Sequence, residues 1–301
     1  MVNIDGLTTE TVNEATKNID ELDSLGIVTL INNEDKKVAL AVEKELPSIA
    51  RAVDEIAARF KRGGRIIYCG AGSSGRMGTL DAVELTPTYS VSPDRAFGLL
   101  AGGETAMYKA VEGAEDSKEL ALEDLKGVQI TKDDCIIGIA ASGRTPYTIS
   151  ALEYANEVGA LSISITCNGE SEMAKIADIS IAPVVGAEAV SGSTRMKAGT
   201  AQKMVVNMLS TATMIRLGKV YHNYMVQVQP TNEKLVVRAT KMIAQITGVE
   251  EDKALAALES AGLNVPEAII MLEGSCDRET ARKALDQADG QVRKAIEIIK
   301  K

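Results

Sequence analysis

The chain has 301 residues, enough for one large α/β domain and a smaller module, and its 45% hydrophobic and 25% charged residues are ordinary for a globular protein. A net charge of −9 and only 3% aromatic residues argue against nucleic-acid binding, which needs basic and stacking side chains. The N-terminus is polar, without a signal-peptide core, and no apolar run reaches the length of a membrane helix. We therefore expect a cytoplasmic protein without a membrane partner.

The cysteine and histidine content indicates whether redox motifs or metal sites are to be expected. The 4 cysteines are scattered without a C-x-x-C pair, and two fall in predicted buried strands, where thiols act as small apolar side chains. His222 is the single histidine, so a histidine-based metal site is not expected. The sequence predicts no metal and no cofactor.

The first part of the chain carries a helical pattern. Residues 38–60 place apolar side chains three and four positions apart, as a helix with one buried face requires. The polar run Asn32–Asp35 predicts a turn before this helix, and Gly63–Gly64 predicts its end.

Five short apolar runs follow, each punctuated by glycine, serine or asparagine, with helical patterns between most of them. They read RIIYCG, RAFGLLAGG, CIIGIAASG, LSISITCN and ADISIAPVVG. This alternation predicts an α/β fold in which helices cover a central parallel sheet.

The remainder of the chain is predicted to be helical. A long helix spans Lys197 to about Leu217, with Gly218 as its stop, and short helical patterns follow without a strand signal beyond Glu233. We expect four regions: N-terminal helices at 1–54, the sheet domain at 55–218, a linker at 219–236 and a helical tail at 237–301.

Two loops at predicted strand ends share one chemistry. Residues 70–76 (GAGSSGR) and 141–146 (ASGRTP) combine glycine, which lets backbone N–H groups approach an anion, with hydroxyl donors. A helix N-terminus after each loop adds a favourable dipole, and Arg76 or Arg144 could supply charge. Ligands of open parallel sheets bind beyond the carboxyl ends of the strands, so the sequence predicts a phosphate site there.

Two other interpretations of the loops are weaker. The first loop also matches G-x-G-x-x-G, but a nicotinamide site needs an acidic residue at the end of the next strand. That run ends in Ala101-Gly102-Gly103, and Glu104 comes later. Plain turns with solvated serines would explain either loop alone, but less readily two of them on one sheet.

The loops resemble those of the sugar isomerase (SIS) family. Residues 186–203, GAEAVSGSTRMKAGTAQK, resemble the signature shared by N-acetylmuramic acid 6-phosphate etherases and the glucokinase regulatory protein. Further segments favour the etherase branch: LTTETVN, INNEDK, GAGSSGRMGTLDAVELTPTY, LAGGETAMYKAVEGAEDS and IAASGRTPY. The resemblance covers nearly the whole chain and is weaker near the N-terminus and in the tail.

This resemblance implies a fold and an activity. The fold would be a three-layer SIS-type domain with a central parallel sheet, N-terminal flanking helices and a small ubiquitin-associated-like helical tail. The activity would be cleavage of the D-lactyl ether of N-acetylmuramic acid 6-phosphate in amino sugar recycling, giving N-acetylglucosamine 6-phosphate and D-lactate. The phosphosugar would be the small-molecule partner.

An ordinary ether resists hydrolysis, so elimination followed by water addition is the reasonable route, and it needs one base and one acid. The resemblance implies that Glu84 protonates the departing lactate and that Glu115 is the second carboxylate, most simply the base. Glu112, the neighbour most easily confused with Glu115, is taken as a plain surface acid.

Helix geometry suggests a shared site. A helix that starts near Ser74 would carry Glu84 about 15 Å along its axis, further than one sugar spans. We therefore hypothesise a homodimer in which Glu84 reaches the partner's phosphate pocket across a two-fold interface. Alternatively, Gly78 breaks the helix and brings Glu84 back.

The predicted substrate- and phosphate-binding residues come from the two loops and the signature: Gly72, Ser73, Ser74, Ser142, Gly143, Arg144, Thr145, Glu188, Ser191 and Ser193. Those from the signature could instead cap the long helix. Arg195 and Lys197 could neutralise the lactyl carboxylate or pair with acidic side chains. The sequence leaves these choices open.

The sequence leaves two alternative functions open. An aldose–ketose sugar-phosphate isomerase also needs a base near the acidic carbon. A sugar-phosphate sensor would bind without turnover, and the presence of both glutamates argues against it.

Overall fold

The computed structural model describes Thr9, residues 11–228 and residues 230–301. Parts of the predicted N-terminal region and linker therefore lie outside the described residues. The chain divides into two compact units. The first holds the residues up to Val83 and Pro93–Thr211, and the second holds Glu84–Ser92 and Ala212–Lys301.

The first unit is built on a five-stranded sheet in the order β2-β1-β3-β4-β5, with every neighbouring pair parallel. The strands are β1 Ile66–Gly70, β2 Ala96–Leu100, β3 Cys135–Ile139, β4 Leu161–Ile165 and β5 Ile179–Ile181. Each strand lies within one of the five apolar runs, so the predicted parallel sheet is confirmed. The pattern was readable because strands covered on both faces are apolar almost throughout.

Among the described residues, eight α-helices accompany these strands: α1 Ser24–Glu43, α2 Leu46–Lys61, α3 Gly72–Tyr89, α4 Thr105–Tyr108, α5 Lys118–Gly127, α6 Pro146–Val158, α7 Glu172–Ile176 and α8 Lys197–Arg216. Ile67 and Ile136 share one face of the sheet with a core formed by α5 and α6. Tyr68, one position along, points to the other face, where it meets Gly78 of α3. The sheet is thus the middle of three layers, as expected.

Two local expectations for the N-terminal helices are wrong. The predicted turn at Asn32–Asp35 lies inside α1, where Glu34 is buried and bonded to a distant lysine, so tertiary contact overrides the turn propensity. The predicted helix over 38–60 is divided, because α1 ends at Glu43 and α2 begins at Leu46. Pro47 in the first turn of α2 lacks the N–H that a continuous helix would need.

The second unit contains a hairpin and five helices around its own apolar core. They are β6 Val220–Tyr221, β7 Tyr224–Met225, α9 Glu233–Thr247, α10 Glu251–Ser260, α11 Val265–Gly274, α12 Arg278–Gln287 and α13 Val292–Ile299. The short helical patterns of the tail are confirmed. In the described part of the chain no single helix could cross a membrane; α10 and α11 reach that threshold only together, and a 116° bend separates them.

Candidate active site

The two predicted phosphate loops lie side by side at the carboxyl edge of the sheet. The last residues of β1 and β3, Gly70 and Ile139, are register partners, so the chain leaves both strands at the same level. β1 has β2 on one side and β3 on the other, which makes the gap between β1 and β3 the place where strand order reverses. Open α/β sheets bind their ligands at such a point.

The first loop turns directly into α3, which begins at Gly72. Gly75 allows this tight entry, since a Cβ there would lie 2.5 Å from the carbonyl oxygen of Gly70. Gly72 has a φ of +52°, in the region that glycine favours, and a Cβ there would meet only open space. The first N–H groups of α3, which have no partners within the helix, therefore lie next to the carboxyl edge of the sheet.

The two serines of the first loop differ. The Ser74 hydroxyl donates a 2.9 Å hydrogen bond to Oε1 of Gln202 on α8, whereas Ser73 is half-buried beside it. Gln202 lies within the signature at 186–203, but sequence reasoning assigned it no role. It is fully buried, and its Nε2 has no hydrogen-bond partner among the described residues.

The second loop is held by the segment that follows β4. Nδ2 of Asn168 donates to the carbonyl oxygens of Ala141 at 3.0 Å and Ser142 at 3.4 Å. Gly143 has a φ of +70°, and a Cβ there would collide with Ser171. Asn168 and Ser171 therefore shape the loop. Asn168, the last residue of the fourth apolar run, was the available sequence signal.

Three other members of the predicted set belong to this loop. The backbone N–H of Arg144 donates to Oγ of Ser142 at 3.3 Å, which closes a tight turn. Thr145 is the N-cap residue of α6 without a side-chain capping bond. These side chains are half-buried at the same edge of the sheet as the first loop.

The signature segment is fixed by Glu188. This buried carboxylate accepts from the backbone N–H groups of Lys197 and Ala198, both at 2.9 Å. It therefore caps α8, one of the two alternatives open from the sequence. Ser191 is exposed and Ser193 half-buried in the turn just before the helix.

Lys197 pairs with an acid, the second of its two alternatives. Its Nζ lies 2.6 Å from Oε2 of Glu34 on α1, and both side chains are buried. Lys37 contacts the other oxygen of the same carboxylate at 2.5 Å. Arg195, in contrast, is exposed.

Glu115 is exposed and lines a cavity of about 240 Å³ beside the first loop. It stands in a turn of 3₁₀ helix, Ala114–Asp116, entered through Gly113 at a φ of +74°. The cavity combines small apolar walls with charged groups and is lined by Ala71, Gly72, Arg76, Ala101, Ala106, Ala110, Val111, Glu112, Gly113, Ala114 and Glu115. The structure thus brings Gly72 and Glu115 together, whereas residues 142–145 are absent from this lining in the described chain.

Two details of this cavity differ from expectation. Glu112 is exposed but also lines the cavity, so it is not the remote surface acid that a control requires. Arg76 does not point freely at the loop, because its guanidinium donates to the carbonyl oxygens of Ala106 and Met107.

Glu84 is exposed on α3. The helix runs without interruption through Gly78 to Tyr89, so the alternative in which Gly78 breaks it is wrong. From Ser73 to Glu84, the helix advances about 16 Å at the usual rise per residue.

In the part of the chain that is described, no cluster of three or more histidine, cysteine, aspartate or glutamate side chains has the arrangement of a metal site.

The sequence matches two family profiles. Residues 48–156 match the glucokinase regulatory protein N-terminal SIS domain, and residues 117–212 match the SIS domain. A solved phosphoheptose isomerase from Francisella tularensis is similar with a TM-score of 0.49 and 18% identity, covering 64% of this chain and 100% of that one.

Curated relatives match along almost the full length. N-acetylmuramic acid 6-phosphate etherase 1 of Enterococcus faecalis is 60% identical over 98% of both chains. N-acetylmuramic acid 6-phosphate etherases of Clostridium botulinum and Clostridium beijerinckii are 56% and 55% identical, over 99% of this chain and at least 98% of theirs. With identity above one half along nearly the entire sequence, this chain belongs to the N-acetylmuramic acid 6-phosphate etherase family.

Proposed function

We propose that this protein is a carbon–oxygen lyase that cleaves the D-lactyl ether of N-acetylmuramic acid 6-phosphate. The observation that carries the proposal is the cavity that Glu115 lines together with Gly72, the first residue of α3. This cavity of about 240 Å³ places a helix N-terminus, which favours anions, and a carboxylate in one lining. The relatives' shared name supports the choice of substrate.

The proposed reaction is an elimination followed by an addition. In the open-chain sugar, the carbon next to the aldehyde carries an acidic proton, and the lactyl ether is on the following carbon. A base takes this proton, the electron pair forms a carbon–carbon double bond, and the ether bond breaks. An acid protonates the departing lactate oxygen, and water then adds across the double bond. Sugar phosphate and D-lactate are the products.

We assign the base to Glu115 and the acid to Glu84. The position of Glu115 in the lining of the cavity beside the first loop supports its assignment as the base. The substrate phosphate would bind to the first turn of α3 and to the second loop, with Gly72, Ser73, Ser74, Ser142, Gly143, Arg144, Thr145, Ser191 and Ser193 as the proposed binding set. We assign Glu188 an indirect part, through the N-terminus of α8 that it caps.

We further propose a homodimer with the active site near the two-fold interface. Glu84 is exposed, and about 16 Å of continuous helix separates it from Ser73, which is more than one sugar spans. A partner's Glu84 would supply the acid to each pocket. We also propose a cytoplasmic location, where the charged phosphate group would retain the substrate because it does not cross a membrane unaided.

The test is to incubate the protein with N-acetylmuramic acid 6-phosphate and to measure D-lactate and N-acetylglucosamine 6-phosphate over time. Equal amounts of both products are expected. Formation of a ketose phosphate without lactate would instead identify an isomerase. Binding without any turnover would identify a sugar-phosphate sensor.

A further inference from the structure

Arg76 has an unexpected set of partners. An arginine in a phosphate-binding loop ordinarily contacts the anion itself. Here Nε donates to the carbonyl oxygens of Ala106 at 3.0 Å and Met107 at 3.1 Å, and Nη2 donates to Ala106 at 2.7 Å. The guanidinium is therefore directed at the backbone of α4.

Its partners suit a guanidinium for two reasons. The last carbonyl groups of a helix lack partners within the helix and carry partial negative charge, so a cation there is favourable. α4 has only four residues, Thr105–Tyr108, and needs outside support to persist. A planar fork can bond two successive carbonyls at once, which the ammonium of a lysine cannot reproduce.

The bonds from Arg76 secure the segment that leads to Glu115. Among the described residues, the stretch 104–112 is hydrogen-bonded to the rest of the chain only through Arg76, since its other bonds stay within residues 100–109. Most of residues 103–113 are exposed, so packing restrains them little. Arg76 and Glu115 line the same cavity.

We propose that Arg76 is a positioning residue, which holds residues 104–115 so that Glu115 faces the phosphate loop, and that it is not the main ligand of the substrate phosphate. The inference rests on the proposed function for its catalytic consequence. Its structural part, the anchoring of the segment, can be measured without turnover. Arg76 would thus couple the N-terminal part of α3, where the phosphate is proposed to bind, to the segment that carries Glu115, the proposed base.

The first experiment compares amide hydrogen–deuterium exchange in the wild-type protein, Arg76→Ala and Arg76→Lys. Arg51→Ala, which removes an exposed arginine from α2, is the matched control. The hydrogen-bonded amides of Ala106, Met107 and Lys109 should exchange at least about tenfold faster in both Arg76 variants and stay unchanged in the control. Unchanged exchange in 104–115 overturns the proposal. If Arg76→Ala does not fold, Arg76→Lys decides the outcome.

The second experiment separates positioning from phosphate binding. In Arg76→Lys, we expect kcat to fall at least about tenfold, while the inhibition constant of inorganic phosphate changes less than about threefold. Adding Arg76→Lys to Glu115→Gln should cause little further loss, because the two residues act as one unit. A weakened phosphate inhibition with normal exchange would make Arg76 a phosphate ligand and overturn the inference. Failure of the wild-type protein to release lactate would refute the proposed function and leave the exchange result standing.

Discussion

The ammonium nitrogen of Lys197 lies 2.6 Å from a carboxylate oxygen of Glu34, and both side chains are buried. The pair joins the middle of α1 to the first residue of α8, whose backbone N–H is in turn bonded to Glu188. The signature segment before α8 is thus held from two sides. Removing one partner of such a buried pair leaves an uncompensated charge, which typically costs about 3–5 kcal/mol.

This pair predicts a pH dependence of stability. Burial alone would raise the pKa of Glu34, but hydrogen bonds from Lys197 and Lys37 outweigh it and hold the pKa at about 2, against an ordinary 4.5. A lowered pKa in the folded state means that ionised Glu34 stabilises the fold above about pH 4.5, and that this contribution disappears as the pH falls toward 2.

The pH dependence can be checked by measuring the free energy of unfolding in urea for the wild-type protein and for Glu34→Gln. The wild-type advantage in free energy of unfolding should be large at about pH 7 and clearly smaller at about pH 3. Glu43→Gln, an exposed acid on the same helix, is the control and should differ little from wild type at either pH. A wild-type advantage that grows on acidification would contradict the assignment.

Substitution of the two proposed catalytic glutamates should abolish turnover. Glu84→Gln and Glu115→Gln keep the side-chain size but cannot transfer a proton, so lactate release should fall at least about a hundredfold in each. The measurement is the initial rate of D-lactate formation. Glu123→Gln on α5, exposed and away from the cavity, is a better control than Glu112, which lines it. Equal rates of D-lactate formation in all three variants would contradict the assignment of Glu84 and Glu115 as catalytic residues.

Mixing the two inactive variants tests the shared site. If each pocket combines Glu115 of one subunit with Glu84 of its partner, a heterodimer of Glu84→Gln and Glu115→Gln contains one intact pocket. Random exchange of subunits should then restore about a quarter of wild-type activity. Turnover after unfolding and refolding the mixture is the measurement, with each variant treated alone as the control. No recovery, despite heterodimers seen by native mass spectrometry, would place both glutamates in one subunit's pocket.

Gln202 should matter for binding more than for stability. Whichever way its amide is oriented, Ser74 satisfies only one end, so a buried polar group stays unpaired. Gln202→Leu removes that unpaired group, and we expect the free energy of unfolding to change by less than about 1.5 kcal/mol.

In the same variant, the hydroxyl of Ser74 loses the acceptor that orients it. Binding of the substrate phosphate should therefore weaken, and KM for the phosphosugar should rise by roughly threefold or more. Steady-state kinetics beside urea unfolding separates the two effects. Gln227→Leu, in the second unit, is the control. A large loss of stability with an unchanged KM would make Gln202 a purely structural residue.

Much of this protein could be predicted from local sequence. Strands covered on both faces require short apolar runs, and the turns after β1 and β3 require glycines, so each of the five strands and both loops left a signal in consecutive residues. The signature at 186–203 and the segments around Glu84 and Glu115 likewise identified the family, because they are contiguous.

What only the tertiary structure decided involves partners far apart in the chain. Lys197 and Glu34 are 163 positions apart, and their pairing turned a predicted turn into the interior of α1. Arg76 looked like a phosphate ligand from its loop, and only the approach of α4, 30 positions away, gave it backbone partners. Local propensity and motif spacing carry no information about such contacts, because packing of the finished layers selects which polar groups meet.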